Sequence, residues 1–174
     1  KSVADATSTI AAATRTYSQN QQKQAEDAKN EAANEVLEKI KEQGGSKWLT
    51  YQSLTTDADK QAFLINNSQA YKAAYDDAQS WGIGGDKSRA LNAVTTAITG
   101  ALGGQTDLQA ATNVLAPYAS QLIGKTFGEG KDKNTVAQLA AHAILGGVLA
   151  YVNGGDQAAG GTAAVASEAA ANYL

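Results

Sequence analysis

Trp81-Gly-Ile-Gly-Gly-Asp86, then Ser88-Arg-Ala-Leu-Asn-Ala-Val-Thr-Thr-Ala-Ile-Thr-Gly-Ala-Leu-Gly-Gly104, and later Ala141-His-Ala-Ile-Leu-Gly-Gly-Val-Leu-Ala-Tyr-Val-Asn-Gly-Gly-Asp156 decide the fold. Leu91, Val94, Thr95, Ile98 and Leu102 recur at three- and four-residue steps, the spacing of one helix face. Double glycines punctuate the helices, and an Asp or Thr able to cap follows those at 84–85, 103–104 and 154–155. The pattern predicts an all-α protein: a helical bundle with a long N-terminal helix and Gly-Gly-hinged, Ala-rich helical hairpins. The hinges are Gly84, Gly85, Gly103, Gly104, Gly146, Gly147, Gly154 and Gly155. Small residues let helix backbones approach closely, which suits tight hairpins and, in lipid, helix association.

Working outward, residues 5–43 lack Pro and Gly and are rich in Ala, Glu, Lys and Gln, which predicts one long helix stopped by Gly44-Gly45. Ala25, Ala28, Ala32, Val36, Leu37 and Ile40 make a narrow apolar stripe. The part through Gln24 is more polar and reads as a solvated extension or a linker. Residues 46–56, with Trp48, Leu49, Tyr51 and Leu54, read as a short helix or connector whose aromatics anchor the long helix. Thr56 or Asp57 caps a helix through Leu64 and Ile65. Ser68 caps another over 69–81 that sets Tyr71, Ala74, Tyr75 and Ala78 on one face. Asp86 caps a helix over 87–102. Later helices are expected from Thr106 or Asp107, kinked at Pro117, then over 135–152 and 157–174. The division expected is 1–81, a helical part with the aromatic connector, and 82–174, the Gly/Ala-rich part. Residues 91–123 and 141–174 also read as a weak internal repeat of apolar helix, Gly-Gly turn, Asp and Ala-rich helix.

Composition narrows the function. The 174 residues carry a formal net charge of -3, with none of the basic stripe that marks a nucleic-acid partner. There is no Cys, hence no disulfide framework and no thiolate metal site. There is no Met, not even at position 1, so the chain reads as a piece of a longer one, and its polar start does not resemble a signal peptide. Aromatics make up only 6%, so the core is built mainly of Ala, Leu, Ile and Val and buries little area per residue.

Chemical motifs are weak. Gly124-Lys125-Thr126 mimics the tail of a phosphate loop, but Ala119 stands where its first glycine is needed and the preceding segment is helical. Gly82-Ile83-Gly84-Gly85 follows no strand and is no dinucleotide fingerprint. Asp57/Asp59 and Asp76/Asp77 sit at spacings that point apart on a helix and read as caps and solvated faces. Glu129, Asp132 and Asn134 miss the spacing of a calcium loop. No catalytic residue, cofactor or metal site is expected. His142, the one histidine, reads as a packed residue and is the one candidate pH sensor, its ordinary pKa being about 6.5. The serious candidates are two apolar segments, carried by Leu91, Val94, Ile98 and Leu102 and by Ile144, Leu145, Val148 and Leu149. Each is shorter than the roughly 20 apolar residues of an independent span. A bundle is the plain reading, and a hairpin that inserts transiently in a membrane the sharper one.

The words Trp81-Gly-Ile-Gly-Gly-Asp-Lys-Ser-Arg-Ala-Leu-Asn-Ala-Val-Thr-Thr-Ala97, Ala116-Pro-Tyr-Ala119 and His142-Ala-Ile-Leu-Gly-Gly-Val-Leu-Ala150 resemble the C-terminal pretoxin region of CdiA-type proteins. These are filamentous-haemagglutinin-like exoproteins of two-partner secretion, used in contact-dependent growth inhibition. The resemblance covers roughly residues 77–174. In that family the region lies upstream of a Val-Glu-Asn-Asn motif, absent here, after which the variable toxin begins. The resemblance implies a secreted, surface-displayed protein whose C-terminal part enters neighbouring bacteria. Its implied partners are the rest of the exoprotein and the target-cell envelope or membrane. It supplies no catalytic residue, because the family's toxin activity resides downstream. A passive helical spacer or docking module is the alternative, and a toxin in its own right the third reading.

Overall fold

A computed structural model describes residues 3–103, together with Gln121, residues 123–125 and Ala141. Residues 3–103 form five helices: α1 (Val3–Gln43), α2 (Ser46–Ser53), α3 (Asp57–Asn67), α4 (Gln69–Trp81) and α5 (Asp86–Gly103). No strand occurs among the described residues, and the all-α helical bundle expected from the sequence is what forms. The chain divides into two compact units, Asn20–Ile83 and Lys1–Gln19 with Gly84–Leu174.

The first of these takes its order from helix-ending signals. α1 stops where Gly44 and Gly45 adopt φ of 62° and 85°. The Gly44 amide donates to the Ile40 and Lys41 carbonyls at 3.0 and 3.2 Å, satisfying groups that the helix end would orphan. Thr56 accepts from the Asp59 amide at 3.1 Å and starts α3. Ser68 accepts from the Tyr71 amide at 3.0 Å and starts α4 one residue after α3 ends. Two caps so close fold α3 and α4 into a hairpin. Ala32, Leu64 and Tyr71 then form a buried cluster, with Val36, Leu37, Phe63 and Tyr75 packed around it. The Ala-rich stripe of α1 is thereby used, except that Ala28 is exposed. α2 buries no residue of its own and is held by its rings. Trp48 stacks on Tyr51 at 6.1 Å, and Tyr51 meets Phe63 of α3 at 5.3 Å. Lys29 pairs with Glu26 at 2.8 Å and lies 5.8 Å from the Tyr75 ring centroid.

In the other unit, α5 begins one residue earlier than expected. Gly85 accepts the first backbone bond, from the Arg89 amide at 2.9 Å, so Asp86 is not the cap but an exposed first-turn carboxylate that pairs with Arg89. There it opposes the positive end of the helix dipole. Along α5 the residues Ser88, Leu91, Val94, Thr95, Ile98 and Leu102 are buried, while Asn92, Ala93 and Thr96 face out.

The polar start of α1 differs from its sequence reading as a solvated extension or linker. Thr9, Ile10, Ala13, Thr14 and Tyr17 are buried. They lie at three- and four-residue steps, so polarity of composition concealed a sparse but regular inward face.

Candidate functional site

The one place where the described residues gather the features singled out in the sequence is the inward face of α5. Leu91, Ile98 and Leu102 are fully enclosed and Val94 nearly so. Amid this apolar row Thr95 turns its hydroxyl inward, donating to the Leu91 carbonyl one turn back at 2.9 Å. Thr14 of α1 does the same toward Ile10, at 3.0 Å. The two hydroxyl oxygens then approach to 2.7 Å. A buried hydroxyl needs a partner, and a helix interior supplies its own carbonyls first.

Three oxygen contacts therefore compete for two hydroxyl hydrogens. Either Thr14 donates across to Thr95 while Thr95 donates to Leu91, or the reverse holds with Thr14 on Ile10. In both arrangements one backbone contact lacks its hydrogen. Chemically the pair is closed: each hydroxyl is buried and turned to backbone or to the other, so neither is presented to a substrate. Tyr17, three residues on and also buried, has its phenol pushed up from the usual tyrosine value by desolvation, which makes it a poorer proton donor.

The remaining candidates fall as follows. Gly84 takes φ of 76° and is exposed, and Gly85 supplies the first carbonyl of α5. Gly103 is the last residue of α5. Gly104, Gly146, Gly147, Gly154, Gly155, His142, Ile144, Leu145, Val148 and Leu149 lie outside the described residues. Sequence reasoning missed Thr14, Tyr17 and Ile10. The signal was present in Ile10-x-x-Ala13-Thr14-x-x-Tyr17, one face at helical spacing, but Thr and Ala weigh too little as apolar residues to stand out.

An open groove beside α1 is lined by Glu35, Glu38, Lys39, Glu42, Asn67 and Ser68, and the Ser68 hydroxyl there already serves as the cap of α4. Among the described residues no group of His, Cys, Asp and Glu is placed to hold a metal ion. Nor is any described helix long and apolar enough to cross a membrane.

These features define an all-helical protein. Comparison with known proteins is more particular: the chain carries a CdiA-type region. It is 35% identical over 121 residues to the "tRNA nuclease CdiA" of Escherichia coli O6:K15:H31, covering 68% of this chain and 4% of that protein. It is 38% identical over 111 residues to the "16S rRNA endonuclease CdiA" of Enterobacter cloacae subsp. cloacae, covering 63% and 3%. With the "Deoxyribonuclease CdiA" of Dickeya dadantii it shares 37% over 123 residues, covering 68% and 4%. The chain thus spans only a few per cent of the length of the curated relatives it matches. No protein-family model and no solved structure matches it.

Proposed function

We propose that this chain is a non-enzymatic delivery segment of a two-partner-secreted contact-dependent growth inhibition protein, which assists passage of a toxin into target bacteria. One observation carries the reading. Relatives named for tRNA, 16S rRNA and DNA share this segment at 35–38% identity. A segment common to proteins with such different named substrates is poorly suited to be what selects or cleaves any of them. It suits a task all of them share, and delivery is such a task.

On this reading the segment works at the bacterial surface and then at the target-cell envelope, with the rest of the exoprotein as its first partner. The apolar row Leu91, Val94, Ile98 and Leu102 is what it offers to a membrane, and the unit must open to offer it. The passive spacer has its own support: that row is already buried, and no described helix is long and apolar enough to span.

Co-flotation of the purified chain with liposomes, at neutral and mildly acidic pH, separates the two. Membrane-assisted delivery predicts flotation with helical content retained. A chain that stays in solution at both pH values supports the spacer and removes membrane contact from the proposal.

A further inference from the structure

Asn66-Asn67-Ser68 closes α3 and caps α4. The same three residues are the only Asn-x-Ser/Thr triplet in the chain. That triplet is the acceptor of N-glycosyltransferases: the asparagine is modified, and the hydroxyl two positions on is what the enzyme recognises beside it. Such a site needs an uncommitted asparagine amide, room for a sugar, and a backbone that can be laid open.

The first two needs are met in the fold. Asn66 is exposed, and among the described residues no hydrogen bond engages its side chain. Its neighbour differs: Asn67 is half-buried and donates its Nδ2 to the Phe63 carbonyl at 2.8 Å. The position that the triplet would have modified is therefore the free one. Leu64, two residues before Asn66, is buried in the cluster with Ala32 and Tyr71. Residues two apart on a helix point about 200° apart, so a group on Asn66 is directed away from that core.

The third need sets the order of events. In an extended chain residues two apart share a face, and on a helix they do not. A transferase that holds the Asn66 amide and the Ser68 hydroxyl in one cleft reads the triplet extended. In the folded chain Asn66 is helical, and the Ser68 Oγ is occupied as the acceptor for the Tyr71 amide at 3.0 Å. Attachment thus precedes closure of the α3–α4 hairpin, and the finished fold keeps the sugar in solvent.

We propose that Asn66 is an N-glycosylation site, modified before the hairpin closes. The co-substrate is a glycosyl diphosphate. The Asn66 Nδ2 forms a bond to the sugar C1, the bond from C1 to the diphosphate oxygen breaks, the diphosphate leaves with that electron pair, and one amide proton passes to a base of the transferase. The site stands apart from the delivery reading, and neither needs the other.

The whole chain is purified from the cells that make it and cut with trypsin, and the peptide 61–72, bounded by Lys60 and Lys72, is weighed and sequenced by mass spectrometry. Ser68→Thr keeps both the cap and the triplet, whereas Ser68→Asp keeps a capping side chain and destroys the triplet. The proposal predicts a sugar on Asn66 in a share of the unaltered and Ser68→Thr molecules, and its loss in Ser68→Asp and Asn66→Gln. A single monosaccharide identifies a nucleotide sugar as donor, and a preassembled oligosaccharide a lipid-linked one. A peptide unmodified in every molecule overturns the proposal. Sugar retained in Ser68→Asp overturns it too, because attachment then does not read the triplet.

Discussion

Thr14 and Thr95 stand 81 positions apart in the chain, and their hydroxyl oxygens lie 2.7 Å from each other, inside a unit whose other buried side chains are mostly apolar. Each also reaches the carbonyl one turn back on its own helix. Because the hydrogens are shared, the two residues act as one energetic element. Thr14→Val and Thr95→Val are each expected to lower stability by about 0.5–1.5 kcal/mol, and the double variant by less than the sum. Urea unfolding of the four chains checks this, and strict additivity would show that the hydroxyls do not interact.

Burial of Tyr17 gives the unit an alkaline limit. Its phenol has a raised pKa in the folded chain, owing to desolvation, so the unfolded chain loses that proton first. The native state binds more protons at pH above about 10, and stability falls as pH rises through that range. Below it the contribution is fully present. Relative to Tyr17→Phe, the unaltered chain is expected to lose stability progressively above about pH 10 and to track the variant's pH dependence below that. Urea midpoints measured from pH 8 to 11 decide it.

The α3–α4 hairpin depends on two caps. Thr56→Ala and Ser68→Ala each remove a side-chain acceptor from an N-terminal amide, of Asp59 and Tyr71 respectively. Each is expected to cost about 1 kcal/mol. Thr55→Ala, beside the cap but without a cap bond of its own, serves as the control in the same denaturation series.

Glycines predict effects of opposite sign. Gly45 holds φ of 85° and ψ of -160°, a backbone state that side chains oppose, so Gly45→Ala is expected to cost about 1–3 kcal/mol although a Cβ there meets no described atom within 4 Å. Gly100 lies within α5, and a Cβ there likewise meets no described atom within 4 Å. Gly100→Ala is expected to stabilise by about 0.5–1 kcal/mol. Thermal melts of both variants check the signs. A destabilising Gly100→Ala would reveal a close backbone approach at Gly100-x-x-Gly103.

Much of this architecture is legible from punctuation. Gly44-Gly45, Thr56, Ser68 and the residues before Lys87 mark helix ends by local chemistry, and local chemistry is what a sequence displays. The buried face of α5 was equally plain, because Leu, Val and Ile at helical spacing leave little choice. The start of α1 was not legible. Its inward residues are Thr, Ala, one Ile and one Tyr, and a threonine reads as polar until a carbonyl of its own helix and a second hydroxyl are seen to satisfy it. No pattern within α1 names a partner 81 residues away. The site was legible as an apolar row but not as an apolar row interrupted by a pair of hydroxyls, since Thr95 gained that meaning only from Thr14.

The proposed role of this segment is to deliver and not to cleave. The direct measurement removes the matching segment from the relative named tRNA nuclease CdiA and follows tRNA cleavage in two places, in extracts of the producing cells and inside neighbouring bacteria. The account predicts that cleavage in extracts persists while cleavage in neighbours is lost. Loss of cleavage in the extract would place the segment in the chemistry, and undiminished cleavage in the neighbours would remove it from delivery.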